Sequence, residues 1–151
     1  MTRGFLKGFI FASVKDIADL VGRILIASVF LYEAYDSIFF FEKNLNTLES
    51  YGITWNTRLW ASLAIVILVL GGITVLIGYF ARLGAFLLLL YWLPFTFYVY
   101  SWWNDPVELQ RLHGLMFMRN LALCGGLCLL LSNGSGNYSV KKLVNTLRLP
   151  K

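Results

Sequence analysis

Long apolar runs separated by short polar ones set the pattern of this chain. From Trp60 to Ala81 and from Leu83 to Trp103 no formally charged residue occurs. A hydrocarbon core about 30 Å thick takes roughly 20 apolar residues of helix, so each run predicts one spanning helix. Ile17–Phe41 and Gly114–Ser132 are apolar in outline but carry ionisable residues inside, and they predict two more. The helices are expected at about 17–41, 57–81, 83–103 and 113–132. Helices two and three should meet at a very short turn, because Gly71-Gly72, Gly78 and Arg82 follow one another with no polar spacer. A segment at 1–15 precedes the first helix and a basic amphipathic tail at 137–151 follows the last. The predicted fold is all-α: one integral membrane domain over 1–151, an antiparallel four-helix bundle.

Within the first helix Arg23, Ala27, Phe30, Ala34 and Ser37 recur at spacings of four, three, four and three, so they share one stripe. In lipid, small residues on such a stripe let a neighbouring backbone come close. Ala27 and Ala34, then Gly71, Gly72 and Gly78, then Gly125 and Gly126 are the expected packing positions. Asp19 stands one turn before Arg23, a spacing that permits an intrahelical ion pair. Pro94 should kink or loosen the third helix, with neighbouring helices covering the freed carbonyl. Tyr51, Trp55, Trp60 and the aromatic end of helix three (FYVYSWW) read as anchors at interface depth.

Composition agrees with this pattern and charge adds an orientation. Hydrophobic residues make up 58% and charged ones 14%, where a soluble domain carries about 25% charged. The net charge of +5 raises nucleic acid as a partner, but the basic residues do not cluster on a soluble face. Arg3, Lys7, Lys15, Arg82, Lys141, Lys142, Arg148 and Lys151 fall at the two termini and the middle turn. Only Lys43, Arg58 and Arg111 fall in or beside the other loops. By the positive-inside rule both termini are cytoplasmic, and the loops around 45–55 and 104–112 lie outside. A cleaved signal peptide is the competing reading of the N-terminus. Its apolar core is short, however, and Lys15, Asp16 and Asp19 follow at once. The segment 1–15 reads instead as amphipathic and interfacial, with Phe5, Leu6, Phe9 and Ile10 in the headgroup boundary. The basic tail suits anionic lipid, which makes membrane lipid the first expected partner.

Ionisable groups inside a membrane cost roughly 2.5–3.5 kcal/mol each on insertion scales. Arg23 lies in the inner third of helix one, Glu33 and Asp36 in its outer third, and Arg119 about two turns into helix four. A rise of about 1.5 Å per residue puts Asp36 and Arg119 at similar depth, so a pair between Arg119 and Asp36 or Glu33 is expected. With Arg23, Tyr100 and Asn120 these residues form a candidate polar intramembrane cluster. It either locks the bundle or forms a pocket open to the outer face, binding a quinone headgroup or an anion. Cys124 and Cys128 stand one turn apart, but two thiolates cannot complete a zinc or iron–sulfur site. A disulfide across that spacing is geometrically poor, so both are expected to pack. His113 is expected to be a solvated loop residue. No metal site and no catalytic residue is assigned, since no Walker-type loop, serine triad or dinucleotide fingerprint occurs.

Several of these residues, taken in order, resemble the DoxX family of four-helix membrane proteins. The frame is Arg23, Phe30, Tyr51-Gly52-Ile53, Gly71-Gly72, Gly78 and Arg82. It continues with Trp103, Pro106, Arg119-Asn120-Leu121-Ala122, Gly125-Gly126 and Gly134-Ser135-Gly136-Asn137-Tyr138-Ser139. The resemblance covers roughly 17–141 and implies a bundle in a prokaryotic inner membrane, with links to membrane redox work. Such links include the DoxD-type subunit of thiosulfate:quinone oxidoreductase, and a membrane partner for superoxide dismutase and a sulfurtransferase. Against the family pattern, Ser37 replaces a lysine, Leu68 a glutamate, Tyr100 a histidine and Thr54 a proline. Packing positions are kept and proton-handling ones are not, which points to an accessory or anchoring subunit of a respiratory or redox assembly. Competing expectations are a DoxD-like oxidoreductase subunit with quinone as its cofactor, and a small-molecule or lipid transporter. The expected protein partners are other membrane subunits or further copies of the chain.

Overall fold

The computed structural model describes residues 2–52, 55–134, 136 and 139–140, with side chains from Val14 onward. Among them the elements are helical: α1 (Thr2–Phe39), α2 (Phe41–Ser50), α3 (Thr57–Ile77), α4 (Ala81–Val99) and α5 (Val107–Asn133). A 3₁₀ turn at Trp102–Asn104 leads into α5. Three helical stretches, Thr57–Ile77, Ala81–Asn104 and Val107–Asn133, are long and apolar enough to cross a membrane. A fourth joins them if Val14–Phe39 and α2, bent by 93° at their junction, count as one span.

Packing runs as a row. α3 lies between α1 and α4, α4 lies between α3 and α5, and α1 touches α5 only lightly. Small residues set the close approaches, as association in lipid requires. A Cβ on Gly72 would lie 2.9 Å from Leu31 Cγ, and one on Gly71 would lie 2.6 Å from Leu88 Cγ. One on Gly126 would lie 2.9 Å from Ile26 Cδ1. Arg23, Ala27, Phe30 and Ala34 are all buried along the expected stripe. Its apolar members join Leu68, Val75, Leu88, Trp92 and Leu127 in one core. Gly125 corrects the expectation of packing, because a Cβ there would meet open space. One residue turns a helix by about 100°, so Gly126 faces α1 and its neighbour faces outward.

Several boundaries differ from those expected, for one reason: apolarity marks the membrane, whereas helix continues wherever nothing breaks it. α1 starts at Thr2 and not near Asp16, because Lys15, Asp16 and Asp19 end an apolar run without interrupting a helix. The side chains expected at the headgroup boundary, Phe5 to Ile10, lie outside the described residues. α2 occupies what the pattern assigned to loop; Phe41, Leu45 and Leu48 recur at helical spacing, and Leu45 is buried. α3 stops at Ile77, where Gly78 closes it with φ +76°, and α4 ends at Val99. α5 begins at Val107 behind Pro106, with Glu108 in its first turn, where a negative charge suits the helix dipole. α4 runs through Pro94 without a break, and Thr96 Oγ1 donates to the Trp92 carbonyl at 2.7 Å. Of the basic tail 137–151, only 139–140 fall within the described residues.

Candidate functional site

The polar residues singled out from the sequence divide between the two ends of the molecule. At the end holding the α3–α4 turn, Arg23 is 1% exposed. A Cβ on Gly78 would collide with its guanidinium, and Ser139 Cβ stands 3.0 Å from that same position. The charge of Asp19, one turn earlier on α1, acts on Arg23. A Cβ on Gly136 would lie 2.9 Å from Asp19 Oδ2. Nearby, Arg82 Nη2 donates to the Ser132 carbonyl at 3.4 Å. These contacts hold the α3–α4 turn, Gly136 and Ser139 against α1. Arg23 is about 15 Å of helix rise away from Glu33, so it belongs to this end and not to the group around Glu33.

At the other end, Glu33, Asp36 and Ser37 on α1 line a cavity of about 110 Å³. α2 contributes Phe41, Asn44, Thr47 and Leu48, α3 contributes Ala61, Ala64, Ile65 and Leu68, and α4 contributes Tyr91, Trp92, Phe95 and Val99. Tyr98 Oη donates to the Tyr51 carbonyl at 2.6 Å and ties the end of α2 to α4. Trp92 is 2% exposed, meets Phe30 edge-on at 5.2 Å and stacks on Phe95 at 5.4 Å. Its buried Nε1–H has no acceptor among the described residues. Asn120 on α5 is 0% exposed, and its carboxamide likewise has no hydrogen-bond partner among the described residues. A buried polar group in that state costs about 1–3 kcal/mol.

Arg119 is exposed on α5, although its neighbour Asn120 faces inward. Ile26 and Gly126 mark where α1 and α5 meet. Glu33 and Arg119 each lie seven residues from that point, at the same level about 10 Å along. The charge of Arg119 reaches Glu33 and Tyr100, yet the expected contact pair is not formed. Among the described residues Arg58 and Glu42 form an ion pair at 3.2 Å, and His113 Nδ1 lies within hydrogen-bond distance of Asp105 Oδ2 at 2.7 Å. His113 is therefore not a solvated loop residue: it sits inside α5, bound to Asp105 and edge-on to Tyr100 at 5.8 Å. Tyr100 also meets Phe95 edge-on at 6.3 Å. Cys124 is buried, Cys128 is exposed, and both are free thiols. Among the described residues no group of three or more His, Cys, Asp or Glu is placed to hold a metal.

The cavity walls supplied by α2 and by Tyr91, Trp92 and Phe95 were missed by sequence reasoning. The Phe41-Leu45-Leu48 spacing could have revealed α2. The three rings of α4 carry no polarity signal that separates them from the rest of an apolar run. Chemically the site can accept hydrogen bonds and positive charge through two carboxylates.

Comparison with known proteins matches residues 18–101 to the DoxX family. The chain is 29% identical over 132 residues to the inner membrane protein YqjF of Escherichia coli (strain K12), covering 87% of this chain and 95% of that protein. It is 23% identical over 137 residues to the inner membrane protein YphA of the same organism, covering 91% and 97%. No solved structure matches.

Proposed function

The chain belongs to the DoxX family, a multi-pass inner-membrane protein like its relatives, and from that premise we propose that it serves as an accessory or anchoring subunit of a larger membrane assembly, respiratory or redox in character. In this reading α1, α3, α4 and α5 cross the bilayer as an antiparallel four-helix bundle with both termini cytoplasmic. The observation that carries it is Arg119. The residue lies midway along the 27-residue α5, is exposed on the single chain, and has no contact ion pair among the described residues. An arginine facing lipid at that depth costs about 2.5–3.5 kcal/mol on insertion scales. A carboxylate or carbonyl of a neighbouring subunit, or of a second copy of this chain, removes that cost. Arg119→Leu is expected to leave the melting temperature of the purified protein nearly unchanged while the complex released by mild detergent falls to the mass of the lone chain. An unchanged complex mass would refute the role given to Arg119.

A second reading, a DoxD-like subunit that passes electrons from a reduced sulfur compound to quinone, has the cavity beneath α2 in its favour. Thiosulfate-dependent quinone reduction by the purified protein, lost in Trp92→Phe, would support it. A small-molecule or lipid transporter draws on the same cavity, and uptake into proteoliposomes separates it from both.

A further inference from the structure

The cavity beneath α2 is both acidic and aromatic. Glu33 and Asp36 line it together, and among the described residues no lysine, arginine or histidine does. Much of the remaining wall is rings: Phe41, Tyr51, Tyr91, Trp92 and Phe95. Two carboxylates on one cavity wall repel each other, and a counter-charge between them removes that cost. Arg119 acts on Glu33 from α5 without touching it or lining the cavity. A bare metal cation wants about six or more oxygen ligands, and the described residues hold no acidic, histidine or cysteine triad for one. Ring faces favour a weakly hydrated organic cation instead.

We infer that this cavity binds an alkylammonium group. Glu33 and Asp36 take the ammonium, and the rings of Tyr91 and Phe95 flank its methylenes. At about 110 Å³ the space suits a unit of this size and leaves an attached chain to run out into lipid. Such a group exists as the ethanolamine headgroup of a phospholipid and as a free amine. The site is independent of the α5 face around Arg119, so loss of a protein partner would leave it intact.

The test uses full-length protein in a neutral detergent, titrated with 2-hexyloxyethylammonium and with its uncharged counterpart 2-hexyloxyethanol. The ammonium probe raises the melting temperature saturably and the alcohol does not. The double variant Glu33→Gln, Asp36→Asn weakens the probe by about tenfold or more, the loss expected for removing charge-assisted contacts. Ala64→Leu fills the cavity with both carboxylates still in place, so it abolishes binding and supplies the answer if the double variant fails to fold. Two further arms identify the source. Retention of phosphatidylethanolamine over phosphatidylcholine from mixed nanodiscs, seen by native mass spectrometry and lost in Ala64→Leu, assigns the lipid. Saturable binding of ethanolamine itself assigns the free amine. Equal stabilisation by the charged and uncharged probes, or an ammonium effect that survives in Ala64→Leu, places the probe elsewhere and overturns the inference.

Discussion

Gly78 closes α3 with φ +76°, in the left-handed region that an L side chain enters at a cost of about 1–2 kcal/mol. A Cβ there would also strike the buried guanidinium of Arg23. Gly78→Ala should therefore lower thermal stability by more than the backbone cost alone, read as melting temperature in detergent. A melting curve equal to wild type would show that the α3–α4 turn is not held against α1 in this way. The pair Arg119 and Asn120 shows what the sequence withholds at this scale. Counting residues from a helix end gives depth, and Glu33 and Arg119 do share a level. The azimuth of a side chain depends on which face neighbours cover. Asn120 turns inward and Arg119 outward, so a pair expected from matched depth is not in contact.

At the scale of elements, the double glycines on α3 and α5 behave differently. Gly71 and Gly72 both face neighbours, Leu88 on α4 and Leu31 on α1, because α3 lies between two helices. Gly126 faces Ile26 and Gly125 faces nothing. Gly72→Leu should force α1 and α3 apart and cost at least about 2–3 kcal/mol, since overpacking a tight contact carries a penalty of that order. Gly125→Leu should change stability by less than about 0.5 kcal/mol, as expected away from packed features. Equal melting temperatures for the two variants would contradict the packing described. The uncharged spans α3 and α4 were legible because apolar length alone implies a membrane crossing. α2 was not, because ten residues of mixed polarity carry too weak a signal beside such runs. The extensions of α1 and α5 were missed because polar helix outside the membrane looks like loop when apolarity is the guide.

For the whole molecule, the placement of basic residues carries the proposed orientation. Asn46 lies exposed on α2, and Ser139 lies beside Arg23 at the opposite end. In intact cells Asn46→Cys should react with an impermeant thiol reagent and Ser139→Cys should not, with each variant read in a background lacking Cys124 and Cys128. Labelling confined to Ser139→Cys would invert the molecule. The central claim is that the α5 face around Arg119 meets another protein. The most direct measurement places a photo-crosslinking amino acid at Leu115, one turn from Arg119 and 64% exposed, and irradiates native membranes. One discrete protein–protein adduct that disappears in Arg119→Leu is expected. Crosslinks to lipid alone, or an adduct indifferent to Arg119, would contradict it.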